Sequence, residues 1–178
     1  MAKELLDIVN DEDIVIGKES RVVIHQLGLQ HRGAHVFLFT IDEKMLVQKR
    51  SADRAASPSL LDCSISEHVQ AGESYLEAAI RGMKEEMGVA GIQIKPLFKF
   101  KMNYGINDNE ISELYEGIVD STQVKFDPVE IESIQYLSLD EIKEIMNTDS
   151  NRFCGWFIEI LNCYLDKPSS KLKVLKKY

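Results

Sequence analysis

The segment that decides the fold is Ser66–Val89, S-E-H-V-Q-A-G-E-S-Y-L-E-A-A-I-R-G-M-K-E-E-M-G-V, a loop followed by one acidic helix. Ser74 precedes Glu77 by three residues, the spacing of a capping box that satisfies the first free amides of a helix. Gly88 stands where a left-handed residue commonly ends a helix. The segment therefore predicts a helix that begins after Ser74 and ends before Gly88.

The predicted helix has an apolar stripe and a charged side. Apolar residues recur at helical spacing and predict one core-facing side: Leu76, Ala79, Ile80, Met83 and Met87. Arg81 and Glu85 are four residues apart and are expected to pair on the surface. Glu86 points about 100° away from Glu85. Most charge runs are solvated faces, but adjacent glutamates beside a glycine-containing loop also supply the oxygen ligands that Mg²⁺ prefers.

Composition and charge bound the class of protein. The chain has 178 residues, 44% hydrophobic and 28% charged, which predicts one ordinary globular domain. A net charge of −8 argues against a partner that is a nucleic acid or an anionic membrane. Three cysteines without metal-ligand spacing favour a reduced compartment. The start of the chain has no apolar run of signal-peptide length and no stretch is long enough to span a bilayer, so we expect a cytoplasmic protein.

The rest of the chain mixes strands and helices within a single domain, residues 1–178. Strands are expected at 5–9, 14–17, 36–41, 45–50, 92–101, 111–119 and 134–137, with a short apolar segment at 60–65 and helices at 20–27, 140–146 and 151–165. The core covers about 32–166, and residues 167–178 are expected to form a loose basic tail. The pattern predicts an α/β fold in which helices cover a mixed sheet.

The acidic helix and its loop resemble the Nudix box: Gly, five residues, Glu, seven residues, then Arg-Glu-aliphatic-x-Glu-Glu-x-Gly-aliphatic. The matching residues are Glu73, Arg81, Met83, Glu85, Glu86, Gly88 and Val89. Two positions depart: Glu67 replaces the opening glycine, and Gly82 replaces the glutamate after the arginine. That glutamate normally helps to hold the metal. The resemblance implies an α/β/α sandwich and a Mg²⁺-dependent hydrolase acting on a small-molecule diphosphate.

A set of histidines and acids suggests a second metal site. Its candidate members are His25, His31, His68, Asp108 and Glu110. Histidine nitrogens with two carboxylates suit a transition metal or Mn²⁺, whereas their spacing alone favours separate surface residues. His35 lies in an apolar run and is expected to be a packed, hydrogen-bonded histidine.

The same set resembles the type I isopentenyl-diphosphate isomerases, a branch of the Nudix superfamily. The resemblance implies that all five residues bind one metal, with His25 as the weakest match because it lies one residue closer to His31 than in that family. It also implies that Glu86 helps to bind a Mg²⁺ bridging the diphosphate. It assigns Arg50 and Arg54 to the diphosphate and Trp156 to the hydrocarbon end of the substrate.

One departure from the isomerases concerns the catalytic cysteine, whose position is Ser66. A serine hydroxyl replaces a thiol poorly in proton transfer. Cys63 is three residues away, an odd offset that would place it on the opposite face of a strand, so we expect a buried core cysteine. Some bacterial Nudix proteins resemble the isomerases over their whole length yet are thought to be hydrolases. Their L-D-x-S-x-x-x-x-V-x-x-G-E segment fits residues 61–73, and this group is the best match.

Three functions remain open from the sequence. In a hydrolase, Glu85 and Glu86, with Glu110 as a further candidate, would hold Mg²⁺, and Glu86 or Glu110 would take the proton from water. In an isomerase, Glu110 would move a proton on one face and Ser66 on the other. The departures at Glu67 and Gly82 motivate a third reading, a nucleotide-binding domain without turnover. The leaving group and the oligomeric state stay open.

Overall fold

The computed structural model describes residues 4–178; the first three residues, part of the chain start that was expected to carry no signal peptide, lie outside this range. The described chain begins with an antiparallel hairpin of β1 (Leu5–Val9) and β2 (Val15–Ser20), as predicted. Helix α1 (Arg21–Leu27) follows and ends at Gly28, whose φ is 66°. This N-terminal unit stands beside the main sheet and contributes His25 to the site described below.

The main sheet contains eight strands and is mixed, as the sequence predicts. They are β3 (His31–Phe39), β4 (Met45–Arg50), β5 (Leu61–Asp62), β6 (Ile65–His68), β7 (Ile94–Gly105), β8 (Asp108–Ile118), β9 (Ile131–Leu137) and β10 (Leu172–Lys177). Their order is β10-β7-β8-β3-β4-β5, with β6 paired to β3 and β9 paired to β4. Strands β3 and β8 run parallel, and their register sets His31 opposite Glu110. That pairing positions two of the candidate metal ligands.

Helices cover both faces of this sheet: α2 (Tyr75–Met87) on one side, and α3 (Leu139–Thr148) and α4 (Gly155–Tyr164) on the other. Strand β3 shows why, because successive side chains of a strand point to opposite faces. Val36 packs in the cluster that contains Met83 of α2, whereas Phe37 packs in the cluster that contains Phe157 of α4. The α/β/α sandwich is therefore confirmed. None of the described helices combines the length and apolar character needed to cross a bilayer.

The buried face of α2 differs from the predicted stripe. Its buried residues are Tyr75, Ala78, Ala79, Gly82, Met83, Glu86 and Met87. Leu76 and Ile80 were expected in the core, but they are 44% and 45% exposed. The physical reason is a close approach of β6, since Ile65 lies against Gly82 and fixes which side of the helix faces inward. As a consequence, Glu86 lies on the buried side of the helix.

Two segments expected to be irregular are strands instead. Residues 172–177 form β10, an edge strand beside β7, so the expectation of a loose tail is wrong. The apolar residues that alternate in this segment, Leu172 and Val174, pack on the cluster around Phe100. The gap between the strands predicted at 92–101 and 111–119 is also shorter, because β7 extends to Gly105 and β8 begins at Asp108.

Asp13 links the N-terminal hairpin to the sheet and to α2. Its carboxylate accepts hydrogen bonds from Arg32 Nε at 2.6 Å, Lys99 Nζ at 2.6 Å and the Tyr75 hydroxyl at 3.0 Å. Although burial alone would raise the pKa of Asp13, the two cations hold it below its ordinary value. The carboxylate is therefore ionised in the folded protein at neutral pH.

We expect Asp13→Asn to reduce the free energy of unfolding at pH 7 by about 2 kcal/mol, because two cations lose a charged partner. A lowered pKa means that the unfolded chain binds the proton more tightly. The contribution of ionised Asp13 to the free energy of unfolding is thus present above about pH 4 and is lost as the pH falls below that value. Urea unfolding at pH 7 and pH 3 measures this effect. Asp11→Asn is the matched control, since exposed Asp11 pairs with Lys101 at the surface. Equal stabilities of Asp13→Asn and the parent at pH 7 would contradict the prediction.

Candidate active site

A cleft of about 1200 Å³ opens between the N-terminal hairpin, β6, the loop at 51–59 and the ends of β7 and β8. Most of the site residues predicted from the sequence line it: His25, Arg50, Arg54, Ser66, His68, Glu85, Asp108, Glu110 and Trp156. His31 and Glu86 do not line the cleft and are buried. The fold therefore gathers residues from six elements and one loop around a single concave surface.

Three histidine rings meet at one end of this cleft. The ring centroids of His25 and His31 are 5.0 Å apart, and each lies 5.3 Å from that of His68. One nitrogen from each ring lies within 4.8 Å of the others, a spacing that suits a shared metal ion. The rings come from α1, β3 and β6, so only the folded chain brings them together.

Two carboxylates complete this cluster, which we call the histidine–acid cluster (His25, His31, His68, Asp108 and Glu110). Glu110 Oε1 lies 3.4 Å from His31 Nε2 and 3.7 Å from His68 Nε2. Asp108 Oδ1 lies 3.4 Å from His25 Nδ1. His31 Nδ1 donates to the carbonyl oxygen of Leu29 at 3.1 Å, which turns Nε2 towards the acids.

Gly33 makes room for this arrangement. A Cβ at this position would lie 2.1 Å from Glu110 Oε2 and 2.8 Å from Ser112 Oγ. Any larger residue in this part of β3 would push the Glu110 carboxylate away from the histidines.

Burial and charge set the protonation of the cluster. Burial lowers the pKa of His68 to about 3, so this imidazole is neutral. Although burial alone would raise the pKa of Glu110, neighbouring His31 holds it below its ordinary value. Burial, reinforced by the charge of Glu110, raises the pKa of Asp108. A neutral imidazole beside an ionised carboxylate is a ligand pair suited to a divalent metal.

Several polar atoms of the cluster are buried without a partner. His25 Nε2, His31 Nε2 and Asp108 Oδ1 find no hydrogen-bond partner within residues 4–178. Buried polar atoms are normally satisfied, and a bound ion is one established reason for an exception. The residues present therefore fit a bound metal.

Residues 29–157 match the family model described as the NUDIX domain. The chain belongs to the Nudix family. An isopentenyl-diphosphate Delta-isomerase of Pectobacterium atrosepticum is 29% identical over 154 residues, which covers 84% of this chain and 85% of that protein. An uncharacterized Nudix hydrolase of Streptomyces coelicolor is 37% identical over 103 residues, covering 58% of this chain and 56% of that protein. The solved structure of DR0079 from Deinococcus radiodurans has the same fold, with a TM-score of 0.76 and 24% identity, and covers 90% of this chain and 98% of that one.

The two glutamates of the Nudix helix have different surroundings. Glu86 is 6% exposed; its Oε2 accepts from Gln48 Nε2 at 2.8 Å, and its Oε1 has no partner among the described residues. Burial, together with the charge of Glu67, raises the pKa of Glu86 well above its ordinary value. Glu85 instead has a side chain that is 59% exposed and pairs with Arg81 at 3.1 Å. The metal ligands predicted from the sequence thus divide into two groups: the histidine–acid cluster, and Glu85 and Glu86 of α2.

Arg81 of the Nudix helix pairs with Glu85, as predicted, and also contacts the loop before the helix. Its guanidinium donates to both carboxylate oxygens of Glu73, at 2.9 and 3.1 Å, and to the carbonyl oxygen of His68 at 2.8 Å. It also pairs with Glu67 at 3.0 Å. These contacts hold the loop before the helix, and with it His68, in place.

Asp62 organises the opposite wall of the cleft and was missed by the sequence analysis. Its buried carboxylate accepts from Arg50 Nη1 at 2.9 Å, Trp156 Nε1 at 2.6 Å and Ser66 Oγ at 3.3 Å. The guanidinium of Arg50 lies 5.4 Å from the centroid of Trp156. The available signal was an acid within the apolar run L-L-D-C, since a buried acid needs partners. Arg54, the other predicted diphosphate ligand, pairs with Glu130 at 3.0 Å.

A continuous chain of hydrogen bonds joins the two walls. His35 Nδ1 contacts Ser66 Oγ at 3.1 Å, and His35 Nε2 contacts the Tyr104 hydroxyl at 2.9 Å. The Tyr104 hydroxyl contacts Ser112 Oγ at 3.1 Å, and Ser112 Oγ donates to Glu110 Oε2 at 3.0 Å. His35 is the packed, hydrogen-bonded histidine that was predicted, but the network through Tyr104 was not foreseen.

The three cysteines lie within the described residues, and none of them lines the cleft. Cys63 is fully buried, as predicted, and burial raises the pKa of its thiol. The predicted reason, that Cys63 and Ser66 lie on opposite faces of one strand, is wrong. Cys63 lies between two strands, because β5 ends at Asp62 and β6 begins at Ile65. Ser66 lines the cleft, at the position that the resemblance to the isomerases assigns to a cysteine.

Proposed function

We propose that this Nudix protein is a Mg²⁺-dependent hydrolase that cleaves the diphosphate linkage of a small molecule, such as a nucleoside diphosphate derivative. The observation that carries the proposal is the Nudix-helix carboxylate of Glu86, which is buried beside the cleft with one oxygen unpartnered. A hard divalent cation is the natural partner of such an oxygen, because Mg²⁺ binds through one or two carboxylates and the substrate phosphates.

The residues of the cleft take complementary roles in this reaction. Glu86, with Glu85 as a second candidate ligand, would hold Mg²⁺, which would neutralise the diphosphate charge and activate water. Arg50 and Arg54 line the cleft, where they orient the phosphate oxygens. Glu110 also lines the cleft and accepts the proton from the attacking water, while Ser112 supports it by a hydrogen bond.

The second candidate function is isopentenyl-diphosphate isomerisation. The histidine–acid cluster favours it, together with the similarity to an isomerase over most of the chain. Trp156, on the cleft wall, would cover the hydrocarbon and stabilise the cation formed when an alkene is protonated. Ser66 counts against it, because no thiol from the described chain reaches the cleft.

Combined ³¹P and ¹H NMR tests both functions. The protein is mixed with Mg²⁺ and isopentenyl diphosphate in one tube, and with a panel of nucleoside diphosphate derivatives in others. We expect new phosphate resonances in at least one tube and no shift of the vinyl proton of isopentenyl diphosphate. A moved vinyl proton with intact phosphorus signals would replace the hydrolase proposal with the isomerase. No change in any tube, together with saturable nucleotide binding, would favour a binding domain.

A further inference from the structure

The two positions at which this chain departs from the Nudix signature face each other in the structure. A Cβ at Gly82 would lie 2.7 Å from Ile65 Cγ2 and 3.3 Å from Glu67 Cβ. A side chain at position 82 of α2 therefore requires Ile65 and Glu67 of β6 to shift. The side chains of Ile65 and Glu67 occupy this space, and Glu67 brings a carboxylate to it. The glycine and the glutamate of the signature have thus exchanged places between the helix and the strand.

The carboxylate of Glu67 contacts helix α2 through Arg81 and also faces the cleft. It lines the cleft, and an oxygen of it lies within 4.8 Å of ligand atoms of Glu4 and His68. Its Oε1 accepts from the His68 backbone N–H at 2.9 Å. Burial raises the pKa of Glu67 to about 7, although the charge of Arg81 acts in the opposite direction. Among the charged neighbours of Glu86, Glu67 raises the pKa of Glu86 the most.

The negative charge around Arg81 exceeds what one guanidinium can balance. Arg81 faces Glu67 at 3.0 Å, Glu73 at 2.9 Å and Glu85 at 3.1 Å, so one positive charge meets three carboxylates. Arg81 already donates two of its hydrogen bonds to Glu73. On the same helix as Arg81, Glu86 is 94% buried, and its Oε1 is unpartnered within the described chain. A cation between the strand and the helix would compensate both the excess charge and the unpartnered oxygen.

We propose that Glu67 is a ligand of the divalent cation bound beside Glu86, and that it supplies from strand β6 the carboxylate that helix α2 lacks at Gly82. The inference rests on the proposed function only in taking the cation to be Mg²⁺ or Mn²⁺. It explains why the chain keeps a charged residue in a half-buried strand position, where an acid is normally unfavourable.

The test is calorimetric titration of Mg²⁺ into the folded protein without substrate. One equivalent of Zn²⁺ is added first, because imidazole nitrogens select Zn²⁺ over Mg²⁺. We expect Glu67→Gln to weaken Mg²⁺ binding by about 10-fold or more, with an unchanged melting temperature in the metal-free state. Glu73→Gln is the matched control: it removes another partner of Arg81, and we expect it to leave Mg²⁺ affinity within about twofold because it changes no metal ligand.

A reciprocal exchange sharpens the test. Gly82→Glu alone is expected to lower stability, because the new side chain meets Ile65 and Glu67. Glu67→Gly combined with Gly82→Glu is expected to restore Mg²⁺ affinity, since it returns the carboxylate to the helix. If the double variant does not fold, the comparison of Glu67→Gln with Glu73→Gln decides alone.

Parent-like Mg²⁺ affinity in folded Glu67→Gln would overturn the inference and leave Glu67 as a partner of Arg81 only. That result is distinct from failure of the proposed function, which would appear as Glu67-dependent Mg²⁺ binding without cleavage of any diphosphate.

Discussion

Replacing Glu86 with glutamine is expected to lower Mg²⁺-dependent turnover of the substrate found by NMR by about 10²–10³-fold. The amide keeps the size of the side chain and the hydrogen bond from Gln48 at 2.8 Å. It removes the negative charge and can present an N–H group where Oε1 is unpartnered, which repels a cation. The measurement is kcat/KM as a function of Mg²⁺ concentration. We expect the loss to persist at saturating Mg²⁺ if the charge acts in the transition state.

Stability separates this effect from misfolding. An uncompensated buried carboxylate costs free energy, so Glu86→Gln is expected to be at least as stable as the parent in the metal-free state. Glu85→Gln is the comparison on the same helix, with a smaller loss because its carboxylate is exposed and paired with Arg81. Glu144→Gln, on the exposed side of α3, controls for the substitution itself. Unchanged activity in Glu86→Gln would remove the Nudix helix from the mechanism.

The sequence predicted the local features of the fold because their causes are local. The capping box of Ser74 and Glu77 and the left-handed Gly88 are present as expected, and both depend on contacts within a few residues. The buried face of α2 was misassigned because a contact from β6 decides it, and apolar periodicity counted Leu76 and Ile80 without that contact. The tail was misassigned for the same reason, since its strand exists only beside β7.

The site was less predictable than the fold, because it depends on sheet register. His31 and Glu110 are far apart in the sequence and meet only because β3 and β8 pair in parallel. Spacing alone argued against such a cluster, and only a family resemblance placed these residues together. Asp62 illustrates the remaining gap, because three cleft residues converge on a carboxylate that follows no periodic pattern.

Replacing Glu110 with glutamine is expected to have the other large effect, since Glu110 serves both the histidine–acid cluster and the cleft. Its carboxylate lies 3.4 Å from His31 Nε2 and 3.7 Å from His68 Nε2, and it accepts from Ser112 at 3.0 Å. Removal of an anionic ligand is expected to weaken Co²⁺ binding about 100-fold. Loss of the proton acceptor is expected to lower turnover by about 10²–10⁴-fold.

Two readouts distinguish the roles of Glu110. The visible absorption of bound Co²⁺ reports the ligands directly, whereas turnover at saturating metal reports the proton transfer. Glu116→Gln is the matched control, because Glu116 lies on the same strand and pairs with Lys95 outside the cleft. If Glu110→Gln lost turnover but kept parent-like Co²⁺ spectra and affinity, Glu110 would be a base and not a ligand. The histidines would then need another reason to be buried with unpartnered nitrogens, because buried polar atoms are normally satisfied by a partner.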